Sequence, residues 1–158
     1  MGAAAIRFRR ARRADAERLT RVAHAAKRYW RYPAPLMRGW RAALTVTPGF
    51  VARHPVWCAL HGAVIVGFWA VSGHGRVREL EHFWIEPRHI RSGIGRALFA
   101  HLSGRLRAMR VRQLDIASDP HAEGFYRRLG AWRVGDVASM PPGRRLPLLR
   151  FRVPPRRG

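Results

Sequence analysis

One cysteine in 158 residues, Cys58, leaves no partner for a disulfide and no thiolate set for a multi-cysteine zinc site. The eight histidines fall in no HExxH or comparable spacing, so no metal is expected. No apolar run reaches the length needed to cross a bilayer, which argues against a membrane-spanning helix. The opening MGAAAIRFRR has no apolar stretch ahead of a cleavage site, so no signal peptide is expected and the cytoplasm is the expected location. Acidic residues are scarce, nine against 31 basic ones, and Lys27 is the only lysine. The net charge of +22 favours polyanions, and non-specific polyanion binding is expected from charge alone. Fifteen basic residues precede residue 80 and 16 follow it, whereas a dedicated nucleic-acid binder more often gathers them in one arm or stripe.

What is present suits a packed core. Apolar residues make up 47% of the chain and aromatic ones 10%, so wholesale disorder is excluded and one globular domain is expected. Its expected bounds are residues 1–153, with 154–158 a disordered tail.

Ile6 to Arg10 reads as a first strand. Asp15 is placed to cap a helix whose apolar stripe is Leu19, Val22, Ala23, Ala26 and Trp30, ended by Pro33 and Pro35. A short helix is expected over Leu36 to Leu44, then a break at Pro48-Gly49. Val56 to Leu60 and Ala63 to Val71 read as a hairpin, and Val77 to Ile85 as a third strand closed by Pro87. Ile94, Leu98, Leu102, Leu106 and Met109 mark the stripe of a long helix, and Gln113 to Ala117 is a short buried strand. Asp119-Pro120 starts another helix that Gly130 stops, and strands at Trp132 to Val137 and Leu146 to Val153 close the order. This order predicts an α/β (α+β) domain around a mixed sheet.

Gly93-Ile94-Gly95 lies between a strand and the start of a helix. A helix start leaves about four N–H groups unpaired and carries roughly half a positive charge, so it forms an anion cradle when no Cβ blocks it. Arg91 and Arg96 flank this cradle. The glycines do not follow the strand directly, which disfavours a dinucleotide fold, and the missing GK[ST] ending excludes a nucleoside-triphosphate loop.

LEHFWIEPRHIRSGIGRALFAHL followed by DIASDPHAEGFYRRLGAWRVG resembles the two central motifs of the GCN5-related N-acetyltransferase (GNAT) superfamily, closely over residues 79–135. The resemblance implies a mostly antiparallel sheet flanked by helices, with strands splayed at the cofactor site. It implies acetyl transfer from acetyl-CoA to a primary amine by direct attack, without a covalent enzyme intermediate. The diphosphate would sit on the loop Arg91, Ser92, Gly93, Ile94, Gly95 and Arg96, and the pantetheine arm along the strand Phe83, Trp84 and Ile85. Ile90 stands where the family usually has Gln or Arg, and Arg91 where a small residue is common.

Tyr126 matches the tyrosine that protonates the departing thiolate in many members. Asp119 falls where an asparagine often touches the cofactor, although a carboxylate suits a helix cap better than a neighbour of phosphates. A base is also needed, because an ammonium has no lone pair. Glu79 and Glu81 alternate onto the face of Phe83 and Ile85, at positions where superfamily members carry a base or water relay. Surface salt bridges are the alternative for this pair. Glu86 reads as a loop charge, His82 as a packed, hydrogen-bonded histidine, and Cys58 as a small buried hydrophobe.

The resemblance implies a small-molecule or peptide amine as acceptor, and Tyr29, Trp30, Tyr32 and Arg144 are the candidates to meet it, in segments that shape the pocket in this fold. A homodimer fits the resemblance, and the sequence itself shows no interface. Two rival readings are a non-catalytic CoA-binding regulatory domain and a basic nucleic-acid or ribosome-associated module.

Overall fold

The computed structural model describes residues 5–156. The first strand, β1 (Ile6–Arg10), runs through a single 3-10 turn at Arg13–Asp15 into α1 (Ala16–Arg28). Asp15 does not cap α1 with its side chain. Its carboxylate instead accepts from the Arg12 N–H at 2.7 Å and from the Arg9 guanidinium at 2.7 and 3.0 Å. The Arg9 hydrogen bond is the main cause that holds the Asp15 carboxyl below its ordinary value of 3.8. A partner reaching over from β1 takes the acceptor that the local pattern assigns to the helix end.

Leu19, Val22, Ala23 and Ala26 are buried along α1, as the 3.6-residue period requires, but Trp30 lies beyond its end and is 36% exposed. The expected helix over Leu36 to Leu44 is two pieces, α2 (Ala34–Gly39) and α3 (Arg41–Leu44), broken at Trp40. Pro48-Gly49 begins a helix rather than breaking the chain. The Thr47 hydroxyl accepts from the Phe50 N–H at 3.0 Å, and Pro48 occupies the first turn of α4 (Pro48–Arg53).

The strands β2 (Val56–His61), β3 (Val64–Ser72) and β4 (Val77–Ile85) precede α5 (Ile94–Ala108). Then come β5 (Gln113–Ala117), a 3-10 turn at Pro120–Ala122, α6 (Glu123–Arg128), β6 (Trp132–Ala138) and β7 (Arg145–Arg152). The sheet order is β1-β2-β3-β4-β5-β7-β6, with β4 and β5 parallel and the sheet mostly antiparallel. The stripe of α5 is buried at Ile94, Leu98, Leu102 and Leu106, while Met109 falls past its end. Among the described residues no helix is long and apolar enough to cross a membrane. Of the expected tail, 157–158 lie outside the described residues.

The chain divides into two compact units, Met1–Val71 with His82–His101, and Ser72–Glu81 with Leu102–Gly158. In the first, α1 lays Leu19, Val22 and Ala23 on Val56, Cys58 and Leu60 of β2 and Phe68 and Ala70 of β3. Each of the larger side chains among these contributes about 1.5–3 kcal/mol when fully buried. Cys58 is fully buried here, and burial pushes its thiol from 9.0 up to about 12. Lys27 is buried as well, with its ammonium 4.8 Å from the Tyr32 ring centre and 4.5 Å from that of Trp40. In the second unit, Leu114 and Ile116 of β5 and Leu149 of β7 are fully buried or nearly so.

Candidate active site

The end of β4 is fastened within the first unit. The Glu86 N–H donates to the Val66 carbonyl at 2.8 Å, and the Glu86 carboxylate pairs with Arg18 at 2.9 Å. Arg18 also donates to the Ile65 carbonyl at 2.8 Å. Glu86 is therefore the loop charge expected from its place beside Pro87, and a partly buried one that ties the end of β4 to α1. Gly67 lets this packing close: a Cβ there would stand 2.8 Å from the Trp84 carbonyl oxygen and 2.9 Å from the Ile85 side chain.

Beyond Glu86 the chain makes a 3-10 turn at Pro87–His89 and then a left-handed step at Arg91 (φ 65°) and another at Gly93 (φ 87°). Ser92 ties this loop to itself, since both its N–H and its hydroxyl donate to the His89 carbonyl. The Ala97 N–H donates to the Gly93 carbonyl at 3.1 Å, which opens the helical ladder. The amides of Gly93, Ile94, Gly95 and Arg96 come before that bond, at the positive end of a 15-residue helix. A Cβ on Gly93 would meet nothing within 4 Å, so no neighbouring group crowds the backbone there. Ile94 has only its backbone to offer, because its side chain is 6% exposed in the core. The Phe83 and Phe99 rings meet edge to face at 6.0 Å, holding α5 against the strand that precedes the cradle.

Trp84 is partly buried. Its indole N–H donates to His82 Nδ1 at 3.0 Å, and the ring packs on the core of the first unit. His82 is buried, with the Phe50 and Phe68 rings each 5.6 Å away, so it is the packed histidine the alternation suggested.

In the second unit, Glu79 and Glu81 are both exposed along β4, with Leu80 between them more sheltered. The Ser72 hydroxyl donates to Glu81 Oε1 at 2.5 Å. Glu79 stands opposite Asp115, whose carboxylate accepts from Arg150 at 3.1 Å and Gln113 at 3.1 Å. Among the described residues the β4–β5 ladder pairs only Val77–Glu79 with Gln113–Asp115, although both strands run on.

Tyr126 is 6% exposed on α6, and burial, helped by the charge of Asp119, pushes its phenol above the ordinary value of 10.0. Its proton stays on across the physiological range. Asp119 acts as the cap expected of it, accepting from the His121 N–H at 2.9 Å.

Of the acceptor candidates, Tyr29, Trp30 and Tyr32 belong to the first unit and Arg144 to the second. Tyr29 and Trp30 are 45% and 36% exposed and meet edge to face at 5.0 Å. Tyr32 packs edge-on against Trp40 at 4.8 Å and helps line a cavity of about 300 Å³ with His24, Arg28, Met37, Arg38 and Arg41. Burial, with the charges of Arg28 and Arg41, lowers the His24 pKa from 6.5. Arg144 stays in the β6–β7 loop, where its guanidinium donates to the Ser139 hydroxyl at 3.2 Å. Among the described residues no group of three metal-ligating side chains converges.

Sequence reasoning missed Gly67, Ser72 and Arg18. A glycine inside the strand run VIVGFWAV was the available signal for the first, marking close approach of another backbone. Nothing local marks the other two.

A family model described as "Acetyltransferase (GNAT) domain" matches residues 51–138, more than half of the chain. No curated protein matches. Solved structures share the fold at low identity. The PaiA N-acetyltransferase from Thermoplasma acidophilum in complex with coenzyme A is 14% identical, with a TM-score of 0.79 over 94% of this chain and 99% of that one. The ribosomal-protein-S18-alanine N-acetyltransferase from Escherichia coli is 16% identical, with a TM-score of 0.70 over 98% of this chain and 97% of that one. YncA from Salmonella typhimurium, solved with its cofactor acetyl-CoA, is 16% identical, with a TM-score of 0.67 over 98% and 97%.

Proposed function

Because the chain belongs to the GNAT acetyltransferase family, we propose that it moves an acetyl group from acetyl-CoA to a primary amine by direct attack, a small-molecule acceptor being favoured over a protein. The observation that carries this reading is the start of α5: two left-handed residues, Arg91 and Gly93, lead into a helix whose first amides precede its first hydrogen bond. Those amides suit a diphosphate, and the guanidinium groups of Arg91 and Arg96 add positive charge around it. Bound there, acetyl-CoA supplies an activated acyl group on a thiolate leaving group.

The remaining roles fall to this chain's own residues. Backbone groups of Phe83 and Ile85 pair with the pantetheine arm, and an amide in the same stretch holds the oxyanion as charge develops. Glu81 or Glu79 takes the proton from the acceptor ammonium, directly or through water, so that a lone pair is free. Tyr126 gives its phenolic proton to the departing sulfur. The burial that keeps Tyr126 protonated supports this role, because a donor must hold its proton until the C–S bond breaks. Asp119 serves through its cap, which sets the start of the turn leading into α6. Tyr29, Trp30, Tyr32 and Arg144 are assigned to the acceptor side.

The test is titration calorimetry of the purified chain with CoA and acetyl-CoA, followed by thiol release across amino acids, polyamines, aminoglycosides and peptides. Heat on CoA addition with acceptor-dependent thiol release is expected. Absence of any heat would end the proposal, and heat without turnover on any amine would favour a non-catalytic CoA-binding domain.

A further inference from the structure

The arginines that look evenly spread along the sequence are not evenly spread within the second unit. A cleft of about 980 Å³ opens at the edge formed by the β3–β4 turn, the end of α5 and the chain end. Arg76 and Arg78 enter it from the turn and the start of β4, Arg107 from the last turn of α5, and Arg110 and Arg112 from the link to β5. Arg152 comes from the end of β7, and Arg156 lies just beyond it. None of the nine acidic residues lines the cleft, and among the described residues none of these arginines has a carboxylate within salt-bridge distance. Elsewhere Asp15, Glu86, Asp115 and Asp136 each hold an arginine.

Seven like charges in one concavity repel one another, and the repulsion is relieved by bound anions. Guanidinium forks match phosphate oxygens, and a row of them matches a chain of phosphates better than a single ion. The remaining lining is Gly75, Val77, Met109, Val111, Gln113, Val153 and two prolines, with no aromatic ring on which an unpaired base could stack. A concave wall also suits a rod of phosphodiester better than the flat face of a bilayer. We propose that this cleft is a sequence-independent docking site for the phosphate backbone of a duplex nucleic acid. It uses no residue assigned to acetyl transfer, so either reading can fail alone.

The experiment follows the anisotropy of a short fluorescein-labelled DNA duplex as salt is raised. It compares the wild type with two quadruple variants of equal charge: Arg107→Gln, Arg110→Gln, Arg112→Gln and Arg152→Gln in the cleft, and Arg13→Gln, Arg38→Gln, Arg53→Gln and Arg128→Gln outside it. All eight positions are exposed, so both variants should fold, which circular dichroism checks. The cleft variant should bind roughly tenfold or more weakly, and its slope of log affinity against log salt should shrink by about 3 to 4. The outside variant should stay within about twofold of the wild type. Equal losses in both variants would mean diffuse charge and no site. Tighter cleft-dependent binding to phosphatidylserine vesicles than to the duplex would make the partner a membrane and overturn the proposal.

Discussion

The Ser72 hydroxyl donates to Glu81 Oε1 at 2.5 Å, fixing one oxygen of the carboxylate of an exposed residue. Glu79, two residues earlier, has no such tie among the described residues and stands opposite Asp115. If one of the two takes the acceptor proton, the fixed one is better oriented. Glu81→Gln should therefore lower kcat/KM by roughly 10²-fold or more, while Glu79→Gln has a smaller effect. The double variant should lose at least as much as Glu81→Gln alone. A kcat/KM unchanged in the single and double variants would reject both residues.

Tyr126→Phe keeps the buried ring and removes the proton to be donated. We expect kcat to drop roughly 10²- to 10⁴-fold, with CoA affinity by calorimetry little changed. The loss should shrink with an acyl donor whose leaving group is more acidic than CoA, because such a group departs without a proton. An equal loss with both donors would assign Tyr126 to packing.

Gly67→Ala forces a Cβ to within 2.8 Å of the Trp84 carbonyl oxygen, and backbone cannot swing aside as a side chain does. The variant should lose roughly 1–3 kcal/mol of stability. It should also weaken CoA binding, since the displaced stretch contains the proposed pantetheine edge. A melting temperature equal to that of the wild type would show that β3 and β4 part without cost.

Arg91→Gly removes a side chain from a left-handed conformation that costs an L residue about 1 kcal/mol. Because glycine also has more freedom when unfolded, the net gain in a denaturant titration should be smaller than that. If the amides at the start of α5 do most of the holding, as proposed, CoA affinity should fall only modestly. A large affinity loss would make the guanidinium the principal anchor.

Two buried acids predict behaviour at high pH. Cys58 and Tyr126 have folded values raised above 9.0 and 10.0, so the fold favours their protonated forms. Their contribution is fully present below those ordinary values and is lost as pH rises through the folded ones. Unfolding free energy should decline from pH 9 towards 12, and Cys58→Ala should flatten the first part of that decline. A thiol that reacts readily with a disulfide reagent in the native protein would contradict the burial.

The strands around the site were legible because β4 and β5 alternate in short runs, and the helix start because glycines come soon after a proline-closed strand. Gly130 was legible as a stop, since its φ of 106° suits glycine. The bounds that failed did so where a distant group outcompetes a local one or where a cap was overlooked. Asp15 looks like a cap until Arg9 reaches it, and Pro48-Gly49 looks like a break until Thr47 is seen to cap α4. The arginine cleft was invisible because its seven guanidinium groups come from positions scattered between 76 and 156.

Lys27, wedged between Tyr32 and Trp40, is the single ε-amine in the chain. A protein that handles thioesters is surrounded by reagents that modify exposed lysines, its own among them. Here arginine, which does not accept an acyl group at neutral pH, covers the surface, and the one susceptible nitrogen is shielded by rings. Composition and packing together thus keep the chain's one lysine out of reach of such reagents.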